Sequence, residues 1–211
     1  MQNGVSEMKK QILTLAAVGI EVCCLGACTP KGDNSKYDAL NTMLNASYSQ
    51  LDVTVTDKFD ENTILKSVYK VTYSGGGITV EYEVEKFNEL SLGSPASMGI
   101  KTTLKGVATI QGCMISYEGD RVDLNVPAGN PIEGAEPWSL LKFKKAYFKN
   151  AVLTDEFLVA DVADPSGFLR TEISCTNMKV QATFLDVFDE IQIIYTSSGG
   201  NQVKYEYVFT R

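Results

Sequence analysis

Few side chains in this chain are suited to covalent chemistry, and the most conspicuous is a thiol. Cys28 follows Leu25-Gly26-Ala27, and these four residues close a stretch that opens with Met8-Lys9-Lys10 and runs through the apolar Ile12 to Ile20. The chain has four other cysteines, no Cys-x-x-Cys pair and no histidine, so no zinc site of the usual kind is expected, nor any other cofactor. The missing imidazole also removes Ser-His-Asp and Cys-His activation and every histidine general base. Carboxylate-pair chemistry of the kind used on glycosides stays open.

Other groupings carry weaker signals. Ser67-Val-Tyr-Lys70 and Ser139-Leu-Leu-Lys142 have the Ser-x-x-Lys spacing of some acyl-enzymes. That chemistry needs the serine at a helix start with the lysine one turn later, and Ser67 falls at a strand edge. Gly75-Gly76-Gly77 lacks the following Lys-Ser/Thr of a phosphate loop and reads as a turn. Asp161, Asp164 and Ser166, or Asp186, Asp189 and Glu190, offer oxygen ligands but match no EF-hand loop, and solvated acidic turns are expected. Lys142, Lys144, Lys145 and Lys149, interleaved with Phe143, Tyr147 and Phe148, form the one basic cluster. It is a candidate surface for lipid headgroups or an anionic wall polymer. The competing expectation buries Leu141, Phe143 and Tyr147 and leaves the lysines in water. Tyr73, Tyr82, Tyr195, Tyr205 and Tyr207 flank two turns; they serve either as stacking platforms or as core.

The leader is the strongest local signal. A short basic n-region, an apolar h-region and a Leu-small-small-Cys tetrad together resemble the bacterial lipobox. The resemblance implies cleavage before Cys28, with Leu25 in the apolar subsite of the signal peptidase and Gly26 and Ala27 in its active site. A diacylglyceryl thioether on Cys28 would then anchor the mature chain. Residues 1–27 become a signal peptide, with Met8 the expected start, and 28–36 a lipidated cysteine and flexible tether. The implied address is the outer face of the cytoplasmic membrane, or the outer membrane in a Gram-negative source. A membrane-spanning anchor would need about twenty apolar residues, and this run is shorter and broken by Glu21. An ordinary cleaved signal peptide is the other alternative. Cys23 and Cys24 are discarded in either case, leaving Cys113 and Cys175 either paired or separately buried.

The formal net charge of −7 argues against nucleic acid as a partner, which calls for concentrated lysine and arginine. It also leaves attachment to the acyl chains rather than to general electrostatic adhesion.

The elements that must position any site are mostly strands. Tyr37 to Ser47 has helical spacing. From Leu51 the period becomes two, and Val80, Tyr82 and Val84 alternate with Glu81, Glu83 and Glu85, the mark of a sheet with one buried and one wet face. The segments 51–87 and 178–209 echo each other around Tyr-rich, Gly-turned hairpins, either by duplication or by the common look of such hairpins. The expected fold is α+β: one N-terminal amphipathic helix packed on a curved, mostly antiparallel sheet, as an open barrel or sandwich, in a single domain over 37–211.

The function expected is a non-catalytic binding or structural role at the cell envelope, with the membrane and an envelope protein, glycan or lipid as partners. One alternative is carriage of a lipid between helix and sheet, as in lipoproteins that resemble the Lol carriers in architecture. The other is a carboxylate-based hydrolase.

Overall fold

The computed structural model describes residues 34–59, 62–74, 77–88, 100–111, 114–121 and 141–211. The signal peptide, the lipobox with Cys28, most of the tether, Ser139, Cys113 and the loops expected at 90–99 and 126–137 lie outside the described residues. The first element is a helix, α1 (Ser35–Leu44), followed by β1 (Gln50–Phe59), β2 (Asn62–Ser74), β3 (Gly77–Asn88), β4 (Ile100–Gln111) and β5 (Met114–Gly119). A 3-10 turn at Lys145–Tyr147 then leads into β6 (Phe148–Leu153) and β7 (Phe157–Val162). After a five-residue helix, α2 (Pro165–Leu169), come β8 (Cys175–Phe184), β9 (Phe188–Ser197) and β10 (Gln202–Thr210).

All ten strands belong to one sheet, in the order β5-β4-β3-β2-β1-β10-β9-β8-β7-β6. The chain meanders from the middle of the sheet to one edge, starts again at the opposite edge, and meanders back. The antiparallel pairing of β1 with β10 then joins the two halves, with Leu51 opposite Phe209 and Val53 opposite Tyr207. Because every pair is antiparallel, the turn of the β2–β3 hairpin and that of the β9–β10 hairpin lie at opposite ends of the sheet.

These findings correct the expected fold class. Among the described residues strand makes up 65 % and helix 13 %, in a single antiparallel sheet rather than an α+β layering, a sandwich or a barrel. The reason is how little the helices bury. Only Tyr37, Leu40 and Leu44 of α1 are buried, whereas the strands supply most of the core. No helix among the described residues is long and apolar enough to cross a membrane.

Strict alternation gives the sheet one apolar face. A single cross-strand row spans all ten strands: Gly119, Gly106, Tyr82, Tyr69, Val53, Tyr207, Ile191, Ala182, Leu158 and Leu153. Gly106 is required there. An added Cβ would come within 2.7 Å of the Glu118 carbonyl and 2.8 Å of that of Asp120, and would collide with the Tyr82 hydroxyl. Tyr82 instead lies over the glycine and donates its hydroxyl to the Asp120 carbonyl. Such cover by an aromatic ring compensates a strand glycine for its missing side chain.

Under α1, the inner face is filled by aromatic rings. Phe143, fully buried, stacks on Phe188 at 5.7 Å and meets Phe168 edge-on at 5.5 Å. Tyr37 stacks on Phe148 at 5.8 Å, and Tyr48 packs on Phe209 at 4.8 Å. Asn41 holds the incoming segment like a neighbouring strand: its Nδ2 donates to the Phe143 carbonyl at 2.8 Å, and its Oδ1 accepts from the Phe143 amide at 2.9 Å.

Candidate functional site

The opposite, outer face is an ionic ladder. On β3, Glu81, Glu83 and Glu85 stand opposite Lys70, Val68 and Lys66 of β2. Lys105 of β4 pairs with Glu83 at 2.9 Å, and Lys101 pairs with Glu85. A shallow groove of about 530 Å³ runs over Val68, Lys70, Glu81, Glu83, Lys105 and Val107. Its two lysines and two glutamates balance, with Lys105 paired to Glu83 and Lys70 opposite Glu81, so the groove carries no excess charge. Pairs at such exposure are worth little each.

The inner face is different at the end where β1 and β9 finish. The parity that buries Leu51, Val53 and Val55 also turns Asp57 inward, opposite Val203 of β10 and Leu65 of β2. The same parity on β2 brings in Ser67 and Tyr69, and Ser67 is the buried polar residue of the core. Tyr205 stands opposite Val55, and Tyr195 opposite Val203. Carboxylate and phenols therefore meet on one otherwise apolar face.

The geometry is close. The hydroxyls of Tyr195 and Tyr205 are 3.3 Å apart, and their rings lie 5.9 Å apart at 30°. The Asn201 side chain hydrogen-bonds the Asp57 carboxylate from the β9–β10 loop. Ser197 braces that loop, its hydroxyl accepting from the Asn201 amide at 3.2 Å and its own amide donating to the Asn201 carbonyl at 2.8 Å. Ser67 and Tyr69 hydrogen-bond through their side chains. Oδ1 of Asp57 is buried and takes no hydrogen bond among the described residues, while the residue as a whole is part-exposed. Buried carboxylate oxygens in this condition are rare and need an explanation.

Every titrating group of the patch is pushed toward its neutral form. Burial raises the Asp57 carboxyl above its ordinary value, with Asn201 pulling the other way. Burial raises Tyr195, and the hydrogen bond from Tyr205 adds to it. Tyr205 is raised by burial, with the Asp57 charge contributing. Cys175 carries a free thiol within electrostatic reach of Tyr195, and burial raises it as well. Protonated phenols and a protonated thiol are hydrogen-bond donors, and they are poor bases and nucleophiles at neutral pH. The patch also supplies one carboxyl, not the pair that glycoside chemistry uses.

The residues singled out from sequence fall elsewhere. Leu25, Gly26, Ala27 and Cys28 lie outside the described residues. Leu141 and Phe143 are buried, and Lys144 and Lys145 point to solvent between them and β6, with Lys144 Nζ 5.4 Å over the Tyr147 ring. Lys142 is part-buried, and its amide donates to the Phe168 carbonyl at 2.8 Å. Lys149 is exposed on β6, opposite Asp161. The four lysines thus line one stretch of chain without converging on a cleft. Ser67 and Lys70 point to opposite faces of β2, so no acyl-enzyme pair forms. Asp164 caps α2 by accepting from the Gly167 amide at 2.9 Å, and Asp161 accepts from Asn150 at 2.7 Å. No group of three metal-ligating side chains occurs among the described residues. Tyr82, Tyr195 and Tyr207 are core, while Tyr73 and Tyr205 are part-buried. Sequence reasoning missed Asp57 and Tyr69 as site residues and weighed Ser67 only within a Ser-x-x-Lys spacing, although the alternation of β1 and β2 was signal enough to turn all three inward.

No protein-family model matches this chain, and no curated protein matches it. The functional reading rests on the residues themselves.

Proposed function

We propose that the protein is an exported lipoprotein, anchored through Cys28, whose β domain is a non-catalytic binding module with its ligand site at the Asp57–Tyr195–Tyr205 patch. The sequence motif Leu25-Gly26-Ala27-Cys28 supports the anchor. The single observation behind the binding site is the convergence of the Asp57 carboxylate with the Tyr195 and Tyr205 hydroxyls, themselves 3.3 Å apart, on an otherwise apolar face. The neutral phenols and thiol around the carboxylate favour holding a ligand over attacking one.

The lipid-carrier alternative is less well supported. The aromatic cluster of Tyr37, Phe143, Phe148, Phe168 and Phe188 fills the space between α1 and the sheet that an acyl chain would need.

Asp57→Asn tests the site assignment. A ligand-binding carboxylate held at a cost to the fold predicts a variant at least as stable as the parent at neutral pH, by thermal or urea unfolding. A structural carboxylate predicts a loss of stability, and that outcome would remove the patch as the binding site.

A further inference from the structure

The outer face departs from its own charge pattern at one end. Across β2, β3 and β4 the lysines meet carboxylates: Lys105 pairs with Glu83, Lys101 with Glu85, and Lys70 stands opposite Glu81. Where β2, β1 and β10 run side by side, that balance is lost. Thr56 of β1 stands between Lys66 of β2 and Lys204 of β10. Two residues on, Lys58 stands between Thr63 and Gln202. These side chains line a groove of about 330 Å³, in which Glu206 is the carboxylate. Lys58 and Lys204 are part-buried and Lys66 is exposed, so the groove is open to solvent.

We infer that this groove binds a phosphate group, held by the ammonium groups of Lys58, Lys66 and Lys204 and by the hydroxyls of Thr56 and Thr63. It is a second site, on the face opposite the Asp57–Tyr195–Tyr205 patch, and it does not rest on that patch.

The charges near the groove are already committed elsewhere. Glu206 is taken by Lys204 at 2.7 Å, and Glu85, the acid opposite Lys66, is taken by Lys101. Lys58 has neutral neighbours across both ladders and forms no ion pair among the described residues. Three ammonium groups less one carboxylate leave two positive charges in the groove, on a chain whose net charge is −7. A concave surface lined by one sign of charge concentrates the field that a counter-ion meets.

A phosphate monoester fits that excess. It carries close to two negative charges at neutral pH and presents three acceptor oxygens to a set of ammonium and hydroxyl donors. Lys66 and Lys204 stand two strand spacings apart, about 10 Å between backbones, and their long arms reach an anion seated over Thr56. A carboxylate ligand would answer one of the two charges, and a neutral sugar neither. An extended polyanion would run onto Glu81, Glu83 and Glu85 on the same face.

The test is calorimetric titration of the full-length protein, in a non-ionic detergent, with inorganic phosphate, glycerol 3-phosphate, glycerol and acetate at pH 7. Saturable binding is expected of the two phosphates and not of glycerol or acetate. Tighter binding of the ester would assign the site to a phosphate carried on a larger molecule, and equal binding to free phosphate. Lys58→Gln/Lys66→Gln should bind at least about tenfold more weakly. Glu206→Gln, which releases Lys204, should bind more tightly, and a structural role alone gives no such opposite signs. Both variants change the solvent face, and thermal transitions close to the parent's will show that they are folded. No saturable phosphate binding would overturn the inference. So would phosphate binding that survives Lys58→Gln/Lys66→Gln and is lost instead in Lys144→Gln/Lys145→Gln.

Discussion

At the residue scale, Asp57 ties stability to pH. Its carboxyl is raised by burial, so the folded state holds the proton more tightly than the unfolded chain does. Stability from this group is therefore greatest at low pH and is lost as pH rises through the raised value. The stability gap between Asp57→Asn and the parent should be widest at neutral pH and close in acid, below the ordinary aspartate value near 3.8. Urea unfolding of both proteins across pH measures it; a gap that widens in acid would contradict the sign. The groups around the carboxyl (Asn201, Tyr195, Tyr205 and Cys175) all stay uncharged across this range, so the profile belongs to Asp57.

At the element scale, the sheet depends on a few tight approaches that no propensity encodes. Gly119 takes φ +89°, and its neighbour across the ladder, Gly106, lies beneath Tyr82. Gly106→Ala should cost about 1–3 kcal/mol, because the new methyl meets two backbone carbonyls that cannot move independently of the ladder. Urea denaturation of the variant checks this, and a neutral effect would mean that the β3–β4–β5 register is wrong. Much of this level was legible in the sequence. Val80, Tyr82 and Val84 against Glu81, Glu83 and Glu85 gave the faces of β3, since a period of two needs no knowledge of the partner strand. The lysine-rich stretch was harder. Residues 141–144 alternate in burial as a strand would, but they pair with Asn41 of a helix and with α2 rather than with a strand, so their period alone could not place them.

At the scale of the whole molecule, one sheet and one buried face make the fold. What the sequence could not disclose was the strand order. The seam that joins the halves pairs Leu51 with Phe209, residues at the two ends of the domain, and such a pairing is selected by global packing rather than by local pattern. The fold-class expectation failed at that point, because alternating strands suit a sandwich, a barrel or a single sheet equally. Asp57 was missed for a related reason. An aspartate at a strand end reads as solvated until β9 and β10 are known to bring Tyr195 and Tyr205 beside it. The filled core under α1 makes its own prediction. Phe143→Ala, at a site with no exposed surface and aromatic neighbours on several sides, should cost about 3–5 kcal/mol in thermal or chemical unfolding. A much smaller cost would mean that the helix–sheet interface is open and would revive the carrier alternative.

The anchored state is the claim on which the proposed address of this β domain depends, and fatty-acid labelling of the full-length protein in a bacterial host tests it most directly. The account predicts that the parent takes up label in the membrane fraction and that Cys28→Ala does not. Equal labelling of the two, or none in the parent, would contradict it.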